Sequence, residues 1–228
     1  RVRIDGMRYA GIGRLPLLRI LQERARGVGI EPVYKKPVTD LRDLGNADVI
    51  VGADGANSLV RRTHEAAFGT TVKLLKNRFA WYGTHKIFDA LSHTFVESPL
   101  GTFNAHHHRH AKDMSTFVVE MDEATFLKNG FDKMPLPEAQ RICTEVFAET
   151  LQGHALISNN SIWRQFPRIA TQRWSVGNCV LLGDALHTAH FSIGSGTRLA
   201  MEDAIALAKA LLAKPDDIPQ ALADYEAA

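Results

Sequence analysis

From Arg14 to Gly29 the apolar residues fall at Leu17, Leu18, Leu21, Ala25 and Val28, a stripe along one side of a helix that Gly27 and Gly29 close. A stripe of that kind predicts packing against a sheet. Short apolar runs elsewhere predict strands: Arg1 to Asp5, Glu31 to Lys36, Val49 to Ala53, and the run from Val180 into Gly183, with a connection over Val38 to Gly45. Between about residues 72 and 165 the pattern becomes alternating and rich in aromatic and β-branched residues. The segments beginning at Arg78, Ser92, Gly101 and Ser115 there read as antiparallel strands of a separate sheet. One amphipathic helix follows over Leu136 to Gln152, Ile162 to Arg168 returns the chain to the first architecture, and a last helix runs from Thr197 to Leu212. These elements divide the chain into a β/α part over 1–70, an inserted sheet over 71–165, and a second β/α part over 166–228.

Two of the apolar runs end in acidic turns. Val180-Leu-Leu-Gly-Asp184 sets a carboxylate at the carboxyl edge of a buried strand, where α/β proteins bind ligands. Gly194, Ser195 and Gly196 then allow close backbone approach, and the helix after them offers unpaired N–H donors to a guest with partial negative charge. Glycines before a helix are also common for steric reasons alone. The other run ends Ala53-Asp54-Gly55, with Ser58 as an N-cap and Arg61 in the helix it starts. By itself that turn reads equally well as Asp-Gly chosen for geometry.

The chain has 228 residues, 45% hydrophobic and 23% charged, enough to bury one large or two small cores. A net charge of +2 with no basic run interleaved with aromatics argues against nucleic acid. No stretch approaches the roughly 18 apolar residues that cross a bilayer, and no secretory leader precedes the first strand. Cys143 and Cys179 lie in apolar patterns and read as buried free thiols, so a cytoplasmic setting is expected. There are no internal repeats.

The order of the motifs resembles the single-component FAD-dependent aromatic hydroxylases. Gly183, Asp184, Ala185, His187, Gly194, Gly196, Asp203 and Ala204 fall in register with their second FAD motif, and Asp54-Gly55-x-x-Ser58-x-Val60-Arg61 with the motif that serves both FAD and the nicotinamide. Two departures stand out: His190 and Phe191 where loop prolines are usual, and Arg198 where Asn is usual. The strings Gly11-Ile-Gly13-Arg14, Phe79-x-Trp81-x-Gly83, Ser115-Thr-Phe-x-Val-Glu120 and Ala189-His-Phe-Ser-Ile-Gly-Ser-Gly-Thr197 are similar to the salicylyl-CoA 5-hydroxylase and 2-aminobenzoyl-CoA monooxygenase group, over nearly the whole chain.

The resemblance implies a truncated three-layer FAD/NAD(P)-binding α/β domain (α+β overall) with an inserted, mostly antiparallel substrate sheet. It implies FAD held by Arg14, Asp54, Gly55, Ser58, Arg61, Gly183, Asp184, Gly194, Ser195, Gly196, Thr197 and Arg198, with Asp184 on the ribityl chain. NADH or NADPH would be the reductant and dioxygen the co-substrate. A flavin C4a-hydroperoxide would hydroxylate a ring carried as a coenzyme A thioester, with no protein nucleophile. Some members of the group carry a further flavin-dependent oxidoreductase domain downstream. The Gly-x-Gly-x-x-Gly cradle of such domains is missing: Gly11-Ile-Gly13 and Gly194-Ser-Gly196 both lack the third glycine, so the amino-terminal βαβ unit is expected to lie outside this chain. The fragment alone is expected to be inactive.

His190 and Phe191 are the first candidates for substrate contact, with Trp81, His85 and Phe103 on strands of the second sheet; each also reads as an ordinary packing residue. In His106-His-His-Arg-His110, strand alternation would set His106, His108 and His110 on one face. Acidic or cysteine partners are missing, and the run reads as a solvated strand end or a basic patch for thioester phosphates, with no metal expected. The rival functions are another FAD-dependent oxidoreductase acting on a free aromatic acid, and a binding fragment without turnover. A hydrolase through Ser192 or Ser195 fails for want of a Gly-x-Ser-x-Gly elbow.

Overall fold

The computed structural model describes residues 10–158 and 160–228, so the strand expected at Arg1 to Asp5 lies outside the described residues. In chain order the first elements are α1 (Arg14–Gly27), β1 (Ile50–Gly52), α2 (Leu59–Thr63), α3 (Glu65–Phe68), β2 (Thr71–Thr84), β3 (Ser92–Ser98), β4 (Gly101–Arg109) and β5 (Ser115–Met121). Then come α4 (Glu123–Lys128), α5 (Leu136–Val146), α6 (Ala148–Leu151), β6 (Leu156–Ser158), β7 (Arg164–Ala170), β8 (Ser175–Val176), β9 (Cys179–Leu181), α7 (Gly196–Ala213) and α8 (Ile218–Ala227). They form two compact units, one holding the described residues up to Tyr34 with Lys76–Gln165, the other Lys35–Leu75 with Phe166–Ala228.

The second of these units is three-layered. β1 and β9 pair in parallel, Ile50 with Cys179, Val51 with Val180 and Gly52 with Leu181, and β8 adds antiparallel to β9. Alternation along β9 sends Cys179 and Leu181 into a core with Val60 and Phe68, and Val180 into another with Leu207, Leu222 and Tyr225. Helices α2 and α3 therefore cover one face and α7 and α8 the other. Helix α8 was not expected, although Asp217 accepting the Gln220 N–H at 3.2 Å and Pro219 in the first turn are its start signals. Its Tyr225 hydroxyl donates to the Leu181 carbonyl at 3.1 Å.

At Gly52 the sheet packs tightly against α2. A Cβ there would lie 2.7 Å from Leu181 Cδ2 and 2.9 Å from Val60 Cβ. Gly52→Ala is expected to lower stability by about 1–3 kcal/mol through overpacking, read as a lower denaturant midpoint at constant slope.

The other unit is built on an antiparallel sheet of order β3-β4-β5-β2-β6. One face carries Ala80, Tyr82, Phe103, Ala105, Phe117, Val119 and Met121 into a core closed by Phe126, Phe131, Cys143, Phe147 and Leu151 from the helices. The helix expected over Leu136 to Gln152 is broken into α5 and α6 at Phe147, whose backbone leaves helical geometry (φ −100°, ψ 21°) while its ring is fully buried against Phe117. Cys143 and Cys179 are buried and free, and burial pushes the Cys143 thiol up to about 12.

Two expectations about the early chain are corrected. Helix α1 forms where the stripe predicts, yet it has no buried residue, and Leu18 and Leu21 stay 41% and 48% exposed. Of the stripe only Leu17 and Ala25 are half-buried. Glu31 to Lys36 is irregular, with Lys35 at φ 55°, and no strand pairs with it among the described residues.

On the core side of β4, His107 stacks on Phe117 (5.2 Å, 5° between planes), packs on Phe88, and has its Nε2 2.9 Å from the Thr94 hydroxyl. Burial, reinforced by His93 and His108, pushes its pKa down to about 4. The proton thus prefers the unfolded chain, so this contribution is intact above the ordinary value of 6.5 and is lost as pH falls towards 4. At pH 5 the protein is expected to be about 2 kcal/mol less stable than at pH 7 on this account. The excess pH dependence of wild type over His107→Phe in denaturant unfolding measures it.

Candidate functional site

Parallel pairing of β1 with β9, extended by the Leu182 N–H donating to the Gly52 carbonyl at 3.1 Å, delivers both acidic turns from the same sheet edge. In the first, the exposed Asp54 accepts the Leu59 N–H at 2.6 Å, and Ser58 Oγ accepts the Arg61 N–H at 3.0 Å, so both side chains start α2. Ser58 is fully buried and Arg61 is 4% exposed. The Arg61 guanidinium donates to the Ala185 carbonyl at 2.7 Å and to the Ala56 carbonyl. It therefore ties the two turns together. This is a framework role, beside the cofactor contact expected of Ser58 and Arg61. Burial lowers the Arg61 pKa from its ordinary value, opposed by Asp54 and Glu65.

The second turn is held from α7. Gly183, at φ +58° with Ala200 3.0 Å from where a Cβ would stand, donates its N–H to Asp203 Oδ2 at 2.8 Å. His187 Nε2 lies 2.9 Å from the same oxygen, and its ring meets Trp174 edge-on. Asp203 is 7% exposed. Between these anchors Asp184 projects to solvent, with no hydrogen-bond partner for its carboxylate among the described residues. Asp203 and His187 were in register with the motif, but nothing in the spacing assigned them this bracing role.

Past this turn, the chain makes a 3-10 turn at Phe191–Ile193, passes through Gly194 in the left-handed region, and enters α7 at Gly196. Ser195 does not cap the helix; its hydroxyl turns back to the Ile193 carbonyl at 3.4 Å. The first amides of an 18-residue helix are thus left without a side-chain acceptor. Thr197 and Arg198 are exposed, and Arg198 faces Glu202 at 3.5 Å. His190 and Phe191 form an aromatic cluster with Phe166, ring centroids 4.8 and 6.1 Å from it, and His190 Nδ1 engages the Ser192 hydroxyl at 2.8 Å.

This donor set fits FAD. A solvent-facing carboxylate accepts from sugar-alcohol hydroxyls, and an uncapped helix start suits the electron-rich carbonyl edge of a flavin. A Cβ on Gly55 or Gly196 would meet nothing within 4 Å, so there is room beside both turns.

Arg14, Trp81, His85 and Phe103 belong to the other unit. Arg14 is exposed at the start of α1, and His85 is exposed with Nδ1 3.0 Å from the Asp113 carbonyl. Trp81 is 49% exposed on the sheet face opposite the core. Phe103 is fully buried against Phe131 and is a core residue. The histidine run alternates as expected: His106 meets His93 and His108, while His107 enters the core. Among the described residues no group of three or more His, Cys, Asp or Glu is placed to hold a metal ion, and no helix is long and apolar enough to cross a membrane.

An α/β unit with two acidic turns at one parallel edge and an uncapped helix beside them is the architecture of a flavin-binding domain. The chain belongs to the FAD binding domain family, whose profile matches residues 19–226. It is 39% identical over 234 residues to a salicyloyl-CoA 5-hydroxylase of a Streptomyces species, covering 99% of this chain and 45% of that protein. It is 41% identical over 225 residues to a 3-hydroxy-4-methyl-anthranilyl-[aryl-carrier protein] 5-monooxygenase of Streptosporangium sibiricum, covering 98% of this chain and 59% of that one. The chain thus spans about half the length of these relatives. In fold it is similar to the tetrameric form of 2-methyl-3-hydroxypyridine-5-carboxylic acid oxygenase, at TM-score 0.73 and 20% identity over 95% of this chain and 61% of that one.

Proposed function

We propose that this chain is the flavin-holding and ring-binding part of an NAD(P)H-dependent monooxygenase that hydroxylates an aromatic ring carried as an acyl thioester of coenzyme A. The observation that carries the reading is the pair of acidic turns on β1 and β9, cross-braced by Arg61 and left open beside α7. The chemistry of the two relatives, one named for a CoA thioester and one for a carrier-protein thioester, supports the substrate class. Among the described residues no strand pairs with the outer edge of β1 and the stripe of α1 is largely exposed, which supports the view that more of the enzyme lies against them.

FAD, when bound, supplies electron transfer from the nicotinamide and insertion of one oxygen atom from dioxygen. Asp184 accepts hydrogen bonds from the ribityl hydroxyls, and the open amides at Gly196, Thr197 and Arg198 hold the carbonyl edge of the flavin. Asp203 and His187 keep the Gly183 turn in the conformation that presents Asp184. His190 and Phe191 pack near the ring system. No nucleophile or metal is asked of the protein; positioning and exclusion of water are its tasks.

The test is turnover by the intact enzyme with salicyloyl-CoA, 2-aminobenzoyl-CoA and the free acids. A yellow protein whose NAD(P)H oxidation is stimulated by the thioesters, with a hydroxylated product, is the expected result. Turnover of the free acids alone would replace the thioester reading with the broader one. A colourless, inert protein would overturn both.

A further inference from the structure

The antiparallel sheet ends in β3 on one side and β6 on the other, and the two ends are unlike. Strand β6 is three residues long and leaves little for another chain to pair with. Strand β3 runs for seven, pairs residue for residue with β4 from Ser92–His107 to Ser98–Gly101 without a bulge, and contains no Lys, Pro or Gly. Among the described residues no strand pairs with its outer side. Alternate residues of such a strand turn their N–H and C=O to the free side, so β3 is an open template that lacks the usual devices for blunting one.

Alternation divides the side chains of β3 between two faces. Thr94 and Val96 face inward, the Thr94 hydroxyl on His107 Nε2 and Val96 against the aromatic core. His93, Phe95 and Glu97 face outward and are exposed, Phe95 by 69%. The His93 ring is placed by two neighbours, edge-on to Phe95 at 6.0 Å and to the buried His106 at 4.8 Å. Neither His93 nor Glu97 makes an ion pair among the described residues. The outward row is self-complementary. Laid antiparallel on a copy of itself about Phe95, it sets Phe95 opposite Phe95, His93 opposite Glu97 and Glu97 opposite His93. An aromatic pair then lies between two pairs of ring N–H donor and carboxylate, combinations that stabilise neighbouring strands.

We propose that β3 is the contact between two copies of this chain, paired antiparallel about a two-fold axis at Phe95 so that their two sheets become one. The occupant is a second copy because the row satisfies itself. A foreign strand would need an acid, an aromatic ring and a donor at this spacing and in this order, and a copy brings them already placed on a rigid sheet. Pairing also covers the exposed Phe95 and supplies partners for the open N–H and C=O groups. The inference stands apart from the hydroxylase reading, since assembly is measured without turnover.

Sedimentation velocity of the intact enzyme and its variants tests the contact. Wild type is expected to be a dimer at about 10 μM, and Phe95→Asp, which sets two carboxylates face to face on the axis, a monomer. His93→Glu, which sets glutamates opposite each other twice, is expected to weaken the dimer by about tenfold or more. Adding Glu97→His to it exchanges the two partners and is expected to restore the dimer to within about threefold of wild type. All three residues are exposed, so their replacement leaves the fold in place. A monomeric wild type overturns the proposal, whether β3 is then bare or covered by another part of the same protein. So does a dimer indifferent to Phe95→Asp, or one that the exchange does not restore. A second measurement reads the register: on mild oxidation Phe95→Cys is expected to form a disulfide-linked dimer, while Glu97→Cys, about 14 Å from its own copy, forms none beyond wild type. Equal cross-linking at both positions, or at neither, rejects the pairing.

Discussion

Asp184→Ala is expected to weaken FAD binding about 10- to 100-fold while leaving the folding stability of the apoprotein within about 0.5 kcal/mol of wild type. The asymmetry follows from where the carboxylate sits. It is exposed, and it makes no hydrogen bond to the rest of the described chain, so its removal leaves nothing unpaired in the fold. What disappears is a charged acceptor for sugar-alcohol hydroxyls, and such a hydrogen bond contributes about 1.5–3 kcal/mol. Flavin fluorescence titration and urea unfolding of the same variant separate the two quantities. A variant that binds FAD as tightly as wild type would remove Asp184 from the site.

Arg61→Ala is the opposite case, with an expected stability loss of about 3–5 kcal/mol. Arg61 is 4% exposed, and without its guanidinium the carbonyls of Ala185 and Ala56 lose their charged donor. Arg61→Lys is expected to recover only part of the loss, because one ammonium cannot reproduce a planar fork that reaches two carbonyls in different turns. FAD affinity of the folded fraction should fall as well, since Ala185 directly follows Asp184. Denaturant unfolding of the two variants, each with and without FAD, checks both statements. A loss below 1 kcal/mol in Arg61→Ala would mean that the turns hold their places without the brace.

Local signals carried much of the fold. Short apolar runs before Asp54 and Asp184 became neighbouring parallel strands, and alternation over residues 78–120 became an antiparallel sheet with its aromatic face inside. Chemistry that depends on what a side chain meets was not legible. Arg61 matched a motif and read as a cofactor contact, and only a partner 124 residues away shows that it is also a buried tie. Asp203 and His187 are similar: each belonged to a recognisable pattern, while the shared oxygen contact to Gly183 depends on the position of α7.

Periodicity also has limits that α1 and the Glu31 to Lys36 segment make plain. A helical stripe and a β-prone run state what an element can bury, and neither supplies the surface that buries it. Phe147 shows the converse. Its side chain fits the amphipathic pattern across α5 and α6, but seating the ring against Phe117 takes the backbone out of the helix. Helix α8 had start signals at Asp217 and Pro219, and its role, closing one face of the three-stranded sheet through Tyr225, rests on contact with Leu181.

Two turns at one sheet edge acting as a single flavin cradle is the claim on which the rest depends. Backbone hydrogen exchange of the intact enzyme with and without FAD tests it most directly. Slowed exchange at amides in both the Asp54 to Leu59 turn and the Gly183 to Leu199 segment, with no change on β3, is the predicted result. FAD that leaves either segment exchanging at its free rate would contradict it.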